Sequence, residues 1–240
     1  MSEFDFKGVF DEDYLYFYEP FLDERTPEEV ERVVELFELE PGAEILDCPC
    51  GHGRIANPLA ERGYRVTGLD STELFLERAR EDAEARGVEV EYVHGDMREL
   101  PWWERFDGLL NWFTSFGYFS DEENRQVLRQ FHDALKPGGR LVLETQNITR
   151  ILLGFRPLHI VGERDGNVMI DRIELDPENA RFLTDRFVIR DGRGRKARFN
   201  VRWFTVPELR SWLEEAGFKN VQTPGLAAET RLVVVADRPR

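Results

Sequence analysis

The chain has 240 residues, 41% of them hydrophobic and 33% charged, with a formal net charge of −15. That length is enough for one large α/β domain or two small ones, one being expected, and the acidity repels a phosphate backbone that no run of basic residues compensates. No apolar stretch reaches the ~18 residues of a membrane span, and the opening MSEFDFKGVF lacks the basic start and apolar centre of a signal peptide. The expectation is a cytoplasmic protein with neither nucleic-acid nor membrane partners.

The sequence reads as a single domain over 1–240. Residues 1–27 are set apart as an N-terminal lid segment ahead of the first helix, where Tyr14, Tyr16, Phe17 and Tyr18 either staple that helix to the core or close over a ligand. PEEVERVVELFEL carries apolar residues at helical spacing behind Thr26-Pro27, and Pro41-Gly42 ends it. AEILDC reads as a buried strand, IANPLAERG as a helix closed by Gly63, and YRVTGLD as a second strand. STELFLERAREDAEARG follows as a helix capped by Ser71 and stopped by Gly87. VEVEYVHGD and FDGLLNWF give a third and a fourth strand, DEENRQVLRQFHDAL a helix ending in a Lys-Pro-Gly-Gly turn, and RLVLETQN a fifth strand. Strands alternating with helices imply a mostly parallel sheet covered on both faces. Over 158–204 the pattern changes to VMIDRIELD, RFLTDRFVIRD and RKARFNVRWFT separated by Asp-Gly and Asp-Pro turns, an antiparallel β insertion. VPELRSWLEEAGF returns as a helix, and KNVQT and RLVVVADR close a seven-stranded, Rossmann-like α/β sheet.

The first strand leads into Gly51-x-Gly53-x-x-Ala56, a turn that lets backbone approach a ligand at a helix start. Alone the signal is weak, because with Asp70 it also fits a dinucleotide fingerprint. A P-loop is excluded by the missing Gly-Lys-Ser/Thr. Asp47 inside the first strand, Asp96 after the third and the closing hairpin separate a methyl donor from a nicotinamide. The two cysteines, Cys48 and Cys50, are too close for an ordinary disulfide and lack C-x-x-C spacing, so they read as reduced packing residues. His52, His94, His132 and His159 match no metal spacing, and no metal is expected.

ILDCPCGHGR, VTGLDST, HGDMRELP, FDGLLNWFTSFGYF and LKPGGRLVLET, in this order, resemble the successive motifs of class I S-adenosylmethionine-dependent methyltransferases. FDEDYLYFYEPFL and VRWFTVPELRSWLEEAGF are similar to a bacterial small-molecule subgroup of that family whose substrates are mostly unassigned. The resemblance implies S-adenosylmethionine as donor and S-adenosylhomocysteine as product. It puts Cys50 and Gly51 at the methionine portion, Asp70 at the ribose hydroxyls, Asp96 and Met97 at the adenine beside Leu74, and Asn111 and Phe113 under the sulfonium; Asp47, fixing the loop or meeting an amino group, Gly53 and Ser71 complete the cofactor-binding set. Pro49 stands where the family has its first loop glycine, so Cys50 and Gly51 are expected to carry the tight turn.

The acceptor expected is a small molecule with an amine, hydroxyl or carboxylate nucleophile, in a pocket walled by Tyr14, Tyr18, Tyr118 and the insertion. Arg202 on the last strand of the insertion is a candidate anchor for an acidic group, set against a bracing role on the sheet. In-line methyl transfer needs orientation and water exclusion more than a base, and no general base is assigned. An oxidoreductase and a non-catalytic donor-binding sensor are the alternatives. The sequence leaves monomer and homodimer open.

Overall fold

A computed structural model of the chain describes residues 4–225 and 230–240; the first three residues of the lid segment lie outside the described residues. In chain order the elements are α1 (Phe6–Val9), α2 (Glu12–Phe37), β1 (Glu44–Asp47), α3 (Ala56–Glu61), β2 (Arg65–Asp70), α4 (Glu73–Arg86), β3 (Glu91–His94), β4 (Phe106–Asn111), α5 (Asp121–Ala134), β5 (Leu135–Gln146) and α6 (Ile148–Leu153). Then come β6 (Leu158–Arg164), β7 (Asn167–Asp176), β8 (Arg181–Arg190), β9 (Arg193–Arg202), α7 (Val206–Glu215), β10 (Lys219–Gln222) and β11 (Arg231–Asp237).

One sheet has seven strands in the order β10-β11-β5-β4-β1-β2-β3. Its β5-β4-β1-β2-β3 part is parallel, and β11 and β10 are antiparallel additions. Because side chains alternate along a strand, Ile45 and Leu46 enter different cores. Ile45, Val66, Leu110, Val142 and Val233 pack against Val30, Val33 and Phe37 of α2 and Leu59 of α3. Leu46, Leu69, Leu109, Leu141 and Leu143 pack against Leu128 and Phe131 of α5 and Leu209 and Trp212 of α7. Burial on both faces explains the almost unbroken apolar runs of these strands.

The inserted strands β6-β7-β8-β9 form a second, fully antiparallel sheet. It is tied to the loop after β4 by Arg202 N–H donating to Gly117 O at 2.8 Å and Arg181 Nη2 to Phe119 O at 2.7 Å. This sets the insertion at the carboxyl ends of the parallel strands.

Several local expectations change. The first helix does not begin at Pro27: α2 runs unbroken from Glu12 through both Pro20 and Pro27, so most of the lid segment is helical. Pro20 has no N–H for Tyr16 O, and Arg164 Nη1 of β6 supplies that bond at 3.2 Å;. Next to Pro27, Thr26 Oγ1 donates to Leu22 O at 2.8 Å, one turn back. The N-cap of α4 is Thr72, not Ser71. Lys136 to Gly139 is no turn but a bulge within β5, between the pairs Phe106–Leu135 and Gly108–Arg140;. The short helix α6 was not foreseen.

Candidate functional site

The β1–α3 loop is pinned between the ends of two strands, with Cys48 N–H donating to Leu110 O and Cys50 N–H to Leu69 O, both at 2.9 Å. The peptide before Pro49 is cis, and Gly51 and Gly53 have φ of 55° and 79°. The two glycines differ in purpose. A Cβ on Gly51 would meet nothing within 4 Å, so bare backbone faces open space, whereas one on Gly53 would sit 2.4 Å from Tyr92 Oη. Gly51 shapes the cavity wall; Gly53 permits packing behind it.

Asp70, at the end of β2, is 6% exposed. Its carboxylate accepts from Gly51 N–H at 2.9 Å and Thr72 N–H at 2.8 Å, locking the loop to the strand end. Burial raises its pKa against these bonds. Asp47 lies deeper, 2% exposed, at the end of β1. Burial pushes its pKa up to about 8, with Arg54 opposing and Asp70 adding to the rise. Asp96 is gripped by Arg98, whose Nε and Nη2 reach Asp96 Oδ2 at 3.0 and 2.6 Å and whose N–H reaches Oδ1 at 2.8 Å. Partial burial would raise the Asp96 pKa, yet these bonds hold it below the ordinary value. The buried thiols of Cys48 and Cys50 are pushed well up by desolvation and stay protonated;.

These groups face a cavity of about 250 Å³ over the strand ends, which Asp47, Cys50, Gly51, Asp70, Ser71, Asp96, Met97 and Phe113 help to line. From the N-terminal segment Phe6, Lys7, Phe10 and Tyr14 close it. A second chamber of about 370 Å³ lies beside it, under the inserted sheet, and the two share Phe10, Tyr14, Phe113 and Tyr118. Tyr18, Gln146, His159, Asp171 and Arg186 belong to this second chamber. Tyr14 stacks on Tyr18 with ring centroids 4.3 Å apart. Desolvation raises the phenol pKa of Tyr14, Tyr18 and Tyr118, so all three are neutral donors. Phe113 and Thr114 are consecutive non-glycine residues with φ of 57°, a strained turn that swings the Phe113 ring between the chambers;.

Four expected residues line neither chamber. Gly53 turns towards Tyr92, and Leu74 is replaced as a wall by Phe75. Asn111 is fully buried, with Nδ2 donating to Cys48 O at 2.8 Å, so it braces the loop from beneath. Arg202 ion-pairs with Asp121 and Glu208 and lies over the Phe204 ring. Its register explains this: Arg202 pairs with Arg181, whereas Phe182, Thr184 and Arg186 alternate onto the chamber face;.

Other residues were not anticipated. Arg54 directly follows the glycines, lies over the Phe113 ring at 5.6 Å and pairs with the buried Glu29 at 2.7 Å. Its position in Gly-His-Gly-Arg was a usable signal. His52 has Nε2 buried without a partner, and burial followed by the Arg54 charge lowers its pKa to about 4. Arg186 is one of many arginines in the insertion, and no sequence signal marks it.

Residues 45–139 match the family described as a methyltransferase domain. The chain is 30% identical over 214 residues to a demethylmenaquinone methyltransferase of Bacillus mycoides, covering 81% of this chain and 79% of that one. It is 29% identical over 212 residues to a glycine/sarcosine N-methyltransferase of Aphanothece halophytica, covering 86% and 77%. The methyltransferase CcbJ of Streptomyces caelestis has the same fold, with a TM-score of 0.76 over 90% of both chains at 23% identity.

Proposed function

The chain belongs to the class I S-adenosylmethionine-dependent methyltransferases, and from that premise we propose that it methylates a nitrogen or oxygen of a small molecule held in the chamber under the inserted sheet. The observation that carries the reading is the pair of abutting chambers with Tyr14, Phe113 and Tyr118 as common wall. A donor and an acceptor can meet there in line, with solvent kept out by aromatic rings.

The first chamber suits S-adenosylmethionine chemically. Asp70 and Asp96 oppose its positive charge, and Leu69, Phe75 and Met97 offer apolar surface to a purine. When bound, the donor supplies an electrophilic methyl: its S–CH3 bond breaks as the bond to the acceptor forms, and the electron pair stays on sulfur in S-adenosylhomocysteine.

Each carboxylate oxygen of Asp70 accepts one backbone N–H and keeps lone-pair capacity for the two ribose hydroxyls;. Asp96, held in plane by Arg98, is assigned to the adenine amine, with Met97 against the ring. Asp47, Cys50 and the bare backbone of Gly51 face the methionine portion, and Ser71 borders the ribose. Phe113 stands beside the sulfonium, braced by the Arg54 guanidinium on its ring. The apolar surroundings disfavour an ammonium on the acceptor, so the lone pair is available without a dedicated base. The relatives named for glycine or sarcosine and for demethylmenaquinone act on small molecules, in line with this assignment.

The test is calorimetry with S-adenosylhomocysteine and NAD, then product formation with metabolite pools, tRNA and total protein offered separately. Expected are donor-product binding, no NAD binding, and turnover on a metabolite pool. Turnover confined to tRNA or protein would refute the acceptor class.

A further inference from the structure

Arg186, on β8, is 4% exposed and lies in the wall of the second chamber. Its Nε and Nη2 donate to the two oxygens of Asp171 at 2.8 and 2.7 Å, and Nη2 donates also to Tyr18 Oη at 2.9 Å. The guanidinium lies over the Tyr18 and Phe199 rings at 5.5 and 5.1 Å, which fixes its plane. A guanidinium has five N–H groups. Asp171 and Tyr18 take three, and the two on Nη1 have no acceptor among the described residues. Tyr18 Oη accepts from Arg186, and its own proton remains to be given. These unspent donors belong to two hydrogen-bonded residues that line the same chamber.

Resting on the methyltransferase reading above, we propose that the acceptor is a small carboxylic acid. Its carboxylate is held by Arg186 Nη1 and the Tyr18 hydroxyl, and its nucleophilic nitrogen or oxygen points to Phe113 and Tyr118. The fork edge of Arg186 is taken by Asp171, so Nη1 offers one carboxylate oxygen a charge-assisted bond, about twice as strong as a neutral one, and the Tyr18 hydroxyl takes the other oxygen;. Asp171 already balances the Arg186 charge and grips its far edge, so Arg186 acts by aimed donors rather than by net positive field. Selection against an amide of the same shape follows, because the amide –NH2 would face N–H and O–H donors. Among the described residues, Arg186 is the only arginine lining this chamber. Arg202, which the sequence put forward for this task, is spent on Asp121 and Glu208.

The experiment offers small amino acids and hydroxy acids, each beside its carboxamide, and follows S-adenosylhomocysteine release; binding of the same compounds to the S-adenosylhomocysteine complex is measured by calorimetry. Expected is turnover of at least one acid with kcat/KM tenfold or more above its amide. Arg186→Lys and Tyr18→Phe should each abolish most of that preference, mainly through KM, while S-adenosylhomocysteine affinity stays within about twofold. Arg186→Lys keeps a cation beside Asp171; if it still fails to fold, Tyr18→Phe removes only a hydroxyl and reads the same preference. Amides equal to acids, a preference unchanged in Tyr18→Phe, or no acid bound or methylated by a protein that binds S-adenosylhomocysteine would each overturn the proposal. Failure to bind S-adenosylhomocysteine at all would instead overturn the reading beneath it.

Discussion

Replacing Asp70 by alanine acts on two levels that the structure separates. In the free protein, the backbone N–H groups of Gly51 and Thr72 lose their acceptor at 2.9 and 2.8 Å. A buried, unpaired N–H costs about 1–3 kcal/mol, but relief of a buried carboxylate offsets part of this. The net loss should be about 1–2 kcal/mol, roughly 2–8 °C in Tm for a chain of this size. In the complex, the ribose hydroxyls lose charge-assisted bonds worth about 1.5–3 kcal/mol, or roughly 10- to 150-fold in Kd. Asp70→Asn should fare little better, because its –NH2 must face one of the two N–H donors. The assay is calorimetric titration with S-adenosylhomocysteine at 25 °C beside a melting curve for each variant. A Kd within about threefold of the parent, in a variant whose melting shows the fold intact, would refute the role given to Asp70.

Asp47 predicts a pH dependence. Its folded pKa is pushed up to about 8, against about 4 for an unfolded carboxyl, so between those values the native state keeps a proton that the unfolded chain has released. Its contribution therefore makes stability fall as pH rises from about 4 to 8 and level off above. Asp47→Asn should flatten Tm between pH 5 and 8; superimposable profiles would refute this. Gly51→Ala should cost the fold about 1–2 kcal/mol for a left-handed alanine, yet weaken S-adenosylhomocysteine binding further, since its methyl projects into the cavity. Equal donor-product affinity by calorimetry would contradict that placement. Gly117→Ala meets a worse conflict, with φ at 112° and its Cβ 2.5 Å from Arg202 O; denaturant unfolding should show a loss of about 3 kcal/mol or more, and a loss below about 1 kcal/mol would argue against the close approach.

What could be read in the sequence was what is decided locally or by one ligand. The parallel strands are buried on both faces, and AEILDC, FDGLLN and RLVLET therefore stand out as apolar runs. Asp47 and Asp70 end strands, and Asp96 and Phe113 lie just beyond two others, so strand assignment alone brought them to one sheet edge and into one cavity. Thr26-Pro27 misled because a proline looks the same at a helix start and inside a helix. Only a distant partner, Arg164 of β6, supplies the bond that Pro20 cannot. Asn111 sits at the right strand end but turns beneath the loop, because Cys48 O offers it a buried partner there. The insertion shows the limit most clearly. Arg181, Arg186 and Arg202 are all buried arginines on antiparallel strands, so hydropathy does not tell the two faces of that sheet apart. Docking against the Gly117 turn and α2 decided which face looks into the chamber, putting Arg186 there and Arg202 behind.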